Sequence, residues 1–271
     1  MKSYRPISNL SFISKLIERL AINRFNHHIT THSLLPVNQS AYRCHHSTET
    51  AVVSVFNNIA RSIDNNQISA LVLLDMSAAF DTVDHSILMS VLQKRFGVQH
   101  EALQWFTSYS SNRTQSVYVG ADHTSPSTLY CGVPQGSVIG PAEYIVYTEE
   151  LDSIIRPSKF DHHIYANDIQ LLSVMSLAEV PQFRSKIENC ILAVRDWCSS
   201  RRLTLNPDKT ELIWFASSSN MKKLQYISTN LHLETLEIVP SSTVCDLGVY
   251  LGSSLDMRVH ISKIVAAGFY H

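Results

Sequence analysis

Nine residues, Ile164-Tyr165-Ala166-Asn167-Asp168-Ile169-Gln170-Leu171-Leu172, constrain this chain more than any others. An apolar–aromatic pair, a short polar turn and a second apolar run predict a tight β-hairpin with its polar residues at the tip. Such a hairpin holds a carboxylate rigidly at the end of a sheet, as a catalytic metal site requires. Upstream, residues 68–75 form an apolar strand that ends in a second carboxylate, Asp75. Two strands that each deliver an aspartate to one place point to a divalent-cation site. Position 167 runs against this, being a neutral amide where a third carboxylate would serve better. Read alone, Asp168 is also an ordinary turn residue, because Asn-Asp is common turn chemistry.

A chain of 271 residues can bury a sizeable core, as one large domain or two smaller ones. A net charge of −1 is low for a protein that grips nucleic acid. The basic side chains are uneven, however, with Lys2, Arg5, Lys15, Arg19, Arg24, Arg43 and Arg61 against only Glu18 and Glu49 before position 64. That local excess could face phosphates or simply be a solvated helix face. Cys44, Cys131, Cys190, Cys198 and Cys245 include no C-x-x-C pair, which argues against a disulfide framework and a zinc module. No apolar run is long enough for a membrane span and no signal-peptide pattern opens the chain, so an intracellular, non-membrane protein is expected.

Helical spacing of Phe12, Leu16, Ile17 and Leu20 predicts a first helix capped by Ser11 or Ser14. Ser47 is expected to cap a second helix, with an apolar face of Val52, Val55, Phe56, Ile59 and Ile63. Asp84 suits the N-cap of a helix carrying Ile87, Leu88, Val91 and Leu92. Residues 115–119 and 128–131 read as a hairpin, and Pro141 fits the first turn of a helix. Phe183, Ile187, Ile191, Val194 and Cys198 give the clearest amphipathic helix. Residues 212–215, 231–238 and 246–251 are strand candidates. The adjacent pairs His27-His28, His45-His46 and His162-His163 point in different directions on regular structure and are read as surface residues.

Tyr165-Ala166-Asn167-Asp168 resembles the Tyr-Ala-Asp-Asp box of reverse transcriptases, with the first Asp replaced. Residues 74–85 (Leu-Asp-Met-Ser-Ala-Ala-Phe-Asp-Thr-Val-Asp-His) are similar to that family's first catalytic motif, and residues 132–141 to the motif between the two. Residues 4–8, 39–43 and 206–211 supply three more similar segments in the expected order. The similarity is strongest to the polymerase of retrotransposons that lack long terminal repeats, the LINE type, and it covers nearly the whole chain. It implies an α+β fold: a palm with partial fingers, an antiparallel sheet packed on helices, and no thumb before the chain stops. Residues 1–66 would form the partial fingers and the fingers–palm segment, and 67–271 the palm with its catalytic hairpin.

The same resemblance implies RNA-templated DNA synthesis by two-metal nucleotidyl transfer, with an RNA template, a DNA primer and deoxynucleotides as partners. Two Mg²⁺ ions would be held by Asp75, position 167 and Asp168, with Asp75 and position 167 as the main ligands. Asn167 leaves Asp75 and Asp168 as the metal-binding carboxylates, so at most one ion is expected to be held well. Lys209 matches a lysine that protonates the leaving pyrophosphate, although Pro-Asp-Lys is also simply a good turn. Arg5 matches a triphosphate contact, Phe80 the aromatic beneath the sugar that rejects a 2′-hydroxyl, and Gln135 and Gly136 the turn beside the nascent base pair. Read alone, Phe80 is a core residue and Arg5 a surface one.

Several departures accumulate, among them Cys44-His45-His46, Ala142-Glu143, Thr148-Glu149-Glu150 and Gly252. The expected function is therefore a reverse-transcriptase-like domain impaired at position 167. The rivals are a non-catalytic nucleic-acid-binding remnant and a functionless translated relic.

Overall fold

A computed structural model describes residues 7–77, 79–234 and 236–269. Helices α1 (Phe12–Thr31) and α2 (Thr48–Asp64) precede strand β1 (Ile68–Ser77). Helices α3 (His85–Lys94) and α4 (His100–Ser110) come next, then β2 (Thr114–Gln115), β3 (Tyr118–Val119), β4 (Asp122–His123) and β5 (Ser127–Thr128). Helices α5 (Gly140–Tyr147) and α6 (Leu151–Ile155) lead to β6 (Asp161–Tyr165), β7 (Asp168–Met175) and α7 (Val180–Ser200). The order then runs β8 (Thr204–Leu205), β9 (Glu211–Phe215), α8 (Ser218–Leu224), β10 (Leu231–Leu233), β11 (Leu236–Ile238), β12 (Thr243–Asp246), β13 (Val249–Gly252) and α9 (Arg258–Phe269). No helix among the described residues is long and apolar enough to cross a membrane.

Two compact units interleave along the chain. One takes Met1–Val37, Ala78–Glu150 and Cys198–Thr204; the other takes Asn38–Ser77, Leu151–Trp197 and Leu205–His271.

The second unit is built on an antiparallel sheet in which β1 lies between β7 and β9, and β6 flanks β7. The β1–β7 register runs from Ile68↔Met175 to Asp75↔Asp168, and β9 adds Leu71↔Ile213 and Leu73↔Glu211. Side chains alternate across a strand, and paired residues share a face. One face is therefore apolar at Leu71, Leu172 and Ile213, and turns polar at Gln170, Glu211, Asp168 and Asp75. Its apolar part packs on Val55 and Ile59 of α2 and on Val244 and Leu251 of β12 and β13. On the opposite face Trp214 meets Phe183 of α7 nearly edge-on, with ring centroids 5.4 Å apart.

Two helices of this unit, α2 and α7, follow from their sequence. Ser47 and Thr50 form a reciprocal capping box at the start of α2, which satisfies two N–H groups that the first turn leaves open. The predicted stripe Phe183, Ile187, Ile191, Val194 and Cys198 is buried throughout.

In the first unit, Phe25 of α1 packs edge-on against Phe106 of α4 at 5.3 Å. Ser11 caps α1 by accepting from the Ser14 N–H at 3.2 Å. The helix expected from the spacing of Phe12, Leu16, Ile17 and Leu20 forms, but those four side chains are exposed, while Glu18, Ile22, Phe25 and Ile29 are buried. Glu18 tolerates the inward position because its carboxylate accepts the Val138 N–H at 2.6 Å and the Ser14 hydroxyl at 3.1 Å. Asp84 caps α3 through the Ile87 N–H at 3.0 Å and pairs with Arg202 at 2.5 Å. The hairpin expected over 115–119 and 128–131 is instead two small ladders, β2 with β5 and β3 with β4. All eight ladder residues are exposed, so no buried face fixes a longer register.

Candidate active site

Strands β6 and β7 are joined through Ala166 and Asn167, with Tyr165 paired to Asp168. Ala166 takes φ = 56°, a left-handed conformation that costs a residue with a Cβ roughly 1–2 kcal/mol. The segment at 38–41 holds this turn. The Ile164 N–H donates to Asn38 O at 2.8 Å and Ser40 N–H donates to Ile164 O at 3.0 Å. Gln39 Oε1 accepts from Ala41 N at 3.0 Å and Ala166 N at 3.4 Å.

Four of the residues singled out in the sequence come together here. Asp75 lies directly across the ladder from Asp168. Asn167 Nδ2 donates to Asp75 Oδ1 at 2.6 Å, and Lys209 Nζ donates to Asp75 Oδ2 at 2.8 Å. Lys209 arrives from a single 3₁₀ turn, Pro207–Lys209, which Asn206 caps. The Asn206 N–H donates to the Asp75 carbonyl at 2.8 Å and fixes that turn to the end of β1.

The other predicted contacts belong to the first unit. Phe80 stacks on Tyr144, with ring centroids 4.7 Å apart and 18° between planes. Gln135 Nε2 donates to Asp81 Oδ1 at 3.0 Å. Gly136 has φ = 94°, and a Cβ there would come no closer than 3.5 Å to a neighbour. Backbone conformation, not space, therefore makes glycine the fit at 136. Arg5 lies outside the described residues.

The sequence reading missed Asp246. It ran one strand over 246–251, whereas the chain makes a hairpin, Thr243–Asp246 with Val249–Gly252. Leu247 and Gly248 both have positive φ, 45° and 89°, as a two-residue primed turn demands. Gly248 was the available signal. The turn brings Asp246 into a cavity of about 370 Å³ that is also lined by Asp75, Asp168, Gln170, Lys209 and Glu211. Gln170 Nε2 donates to Asp246 Oδ1 at 2.5 Å, while Asp246 Oδ2 has no hydrogen-bond partner. Burial pushes the Asp246 carboxyl up to about 6; the Gln170 bond pulls it down and the charge of Asp168 pushes it further up.

Two histidines also depart from the surface reading. His162 Nε2 lies 2.8 Å from Asp152 Oδ1 with both side chains buried, and His163 Nε2 lies 2.5 Å from Ser40 Oγ. Burial lowers the basicity of His163. The two rings do diverge, as neighbours on a strand must.

Both Asp75 oxygens already accept strong donors, an amide and an ammonium, so the carboxylate is satisfied and neutralised by protein groups. Among the described residues no group of three or more His, Cys, Asp or Glu side chains is placed to hold a metal ion. Around Asp75 the structure thus sets one neutral amide and one cation, with Asp168 across the ladder.

Comparison with known proteins places this geometry. Residues 1–243 match the family described as Reverse transcriptase (RNA-dependent DNA polymerase). A probable RNA-directed DNA polymerase from transposon BS of Drosophila melanogaster is 32% identical over 265 residues, covering 96% of this chain and 28% of the relative. The RNA-directed DNA polymerase from mobile element jockey, also of Drosophila melanogaster, is 27% identical over 270 residues, 98% of this chain and 28% of its own length. The chain thus spans little more than a quarter of these relatives. In fold it is similar to telomerase from Candida albicans in complex with a telomeric RNA fragment, with a TM-score of 0.54 and 14% identity over 90% of this chain and 38% of that one. Apo telomerase from Candida tropicalis, truncated from its C-terminal domain, gives a TM-score of 0.54 at 12% identity over 90% of this chain and 44% of that one. With the family matched over residues 1–243, the motifs in order and the hairpin carrying Asp168 opposite Asp75, the chain belongs to the reverse transcriptase family, of the kind found in retrotransposons without long terminal repeats.

Proposed function

We propose that this chain is the palm and part of the fingers of a retrotransposon polymerase, and that its own site extends primers negligibly. The observation that carries the reading is the 2.6 Å hydrogen bond from Asn167 to Asp75. An amide there supplies a donor where the family motif supplies a negative charge, and Lys209 balances what charge Asp75 retains. The names of the relatives, and the likeness to a telomerase bound to an RNA fragment, support an RNA template. A DNA primer and deoxynucleotides complete the proposed partners. Phe80, Gln135 and Gly136, with Arg5, take the nucleotide-facing roles that the motifs assign, and Lys209 that of proton donor to the leaving group. Asp75 and Asp168 remain the carboxylates that would meet Mg²⁺ in a chain with Asp at position 167.

Primer extension on an RNA template, comparing the native chain with Asn167→Asp, tests this. Loss of one electrostatic stabiliser costs a factor of about 10²–10³ in rate, so extension by the native chain should be undetectable beside an active relative. Robust extension by the unmodified chain would overturn the proposal.

A net charge of −1 favours weak duplex binding that depends chiefly on phosphate contacts. Fluorescence anisotropy with an RNA–DNA duplex should therefore show affinity falling steeply between low and physiological salt. Tight, salt-insensitive binding would contradict it.

A further inference from the structure

We propose that two copies of this chain associate through the exposed side of α1, antiparallel and about a two-fold axis. Helix α1 is held to its own unit by Glu18, Ile22, Phe25 and Ile29, all buried. Its other side carries Ile13, Leu16, Ile17 and Leu20 at i, i+3, i+4 and i+7, one apolar stripe, with Phe12 at its N-terminal end. These five side chains are 69%, 48%, 49%, 64% and 80% exposed, in that order. No charged residue falls in the series. Lys15 and Arg19 stand outside it, and the acid of this helix, Glu18, is turned inward onto Val138 and Ser14.

A groove of about 1010 Å³ runs beside the stripe, lined by Ile17, Leu20 and Ala21 of α1 and by Ala102, Trp105 and Phe106 of α4. Stripe and groove rim together present on the order of 700–800 Å² of largely apolar surface, above the roughly 300–600 Å² of a typical monomer's largest patch. That area matches the contribution of each partner to a stable interface, about 800 Å². A stripe without charge meets its own copy with no like-charge repulsion, and a two-fold pairing uses the same patch on both copies and closes. A helix lying on a membrane sets its cations along the opposite, polar face, whereas the opposite face of α1 is the buried one. With the axis between Leu16 and Ile17, Leu16 meets the partner's Ile17 and Ile13 meets the partner's Leu20. Phe12 then lies over the partner's Ala21, a small side chain at the edge of the groove, and fills that hollow.

Sedimentation velocity of the whole chain over a range of concentrations tests this, with circular dichroism to verify folding. The native chain should pass from one copy to two as concentration rises. Leu16→Glu sets an unpaired charge in the pairing and should weaken it by about tenfold or more; Leu20→Lys should do the same. Val119→Glu, at an exposed position outside the stripe, should leave association unchanged. Leu16→Glu mixed with Ile17→Lys should form mixed pairs although each variant alone is weakened, because position 16 of one copy faces position 17 of the other. If Leu16→Glu does not fold, Leu20→Lys decides. A native chain that stays single at every concentration overturns the proposal, and its uptake by phosphatidylserine vesicles would then assign the stripe to lipid. Pairing that survives both charged variants, or the absence of mixed pairs, overturns it as well.

Discussion

At pH 8, Glu143→Met is expected to be more stable than the native chain by several kcal/mol, and the difference should shrink as the pH falls toward 5. Glu143 sits in α5 with 1% of its surface exposed, and neither carboxylate oxygen has a hydrogen-bond partner. Burial drives its pKa up to about 8, an effect that Arg113 opposes and Glu18 reinforces. The folded chain therefore keeps the proton over a range in which the unfolded chain has released it. Below the unfolded value, near 4.5, both states are protonated and the group is neutral to stability. Between there and about 8 the native chain loses about 1.4 kcal/mol per pH unit, and above that the loss is complete. Methionine fills a similar volume, cannot ionise and removes the two unpaired oxygens. Urea unfolding of both proteins at pH 5 and pH 8 should show the difference between them growing by roughly 3–4 kcal/mol. A difference that does not change with pH would mean that Glu143 ionises in place.

Asn167→Asp should destabilise the chain at pH 8 in the presence of a chelator, by about 2–3 kcal/mol, the worth of a hydrogen bond to a charged group and the repulsion that replaces it. The amide now donates to Asp75 Oδ1 at 2.6 Å, and Asp75 is only 13% exposed. A second carboxylate at that distance offers an acceptor to an acceptor, and like charge to like charge. One of the pair must take up a proton or remain repelled. The cost should fade at low pH, where the pair shares a proton, and should be offset by Mn²⁺. In thermal unfolding this appears as a drop on the order of 5 °C that added cation reverses. An unchanged midpoint in chelator would show that the Asn167–Asp75 contact contributes nothing, and the proposal that position 167 impairs the site would lose its main support.

How far the sequence could be read depended on whether a residue's surroundings were local. The stripe on α7 was legible because one helix face buries against one sheet face, and its period is written directly in the chain. The caps at Ser47 and Asp84 were legible because a cap is decided within four residues. On α1 the spacing marked the helix but not the side that is buried. Phe12, Leu16, Ile17 and Leu20 have the period of a core stripe, yet Glu18 holds an inward position through the Val138 N–H, 120 residues away. Asp75, Asn167, Asp168 and Lys209 could be named as a group only because motifs with a known order stood in for distance. Asp246 belonged to none of those motifs. Its setting depends on a turn at Leu247-Gly248 and on a bond to Gln170, and neither shows in the alternation of its own strand.

The bridge between Gln39 and Ile164 has a consequence for the solubility of the sheet. β6 is the last strand on its side, and a terminal strand with open N–H and C=O groups is a template for another chain. Here the amide and carbonyl of Ile164 are already paired with Asn38 O and Ser40 N, so the stretch that leads into the Ala166 turn offers no free ladder. The short parallel segment thus acts as a guard against edge-to-edge aggregation at the place where the polar tip must stay open. Loosening it, for example by putting proline at Ser40, would be felt first as self-association and only afterwards as loss of the hairpin.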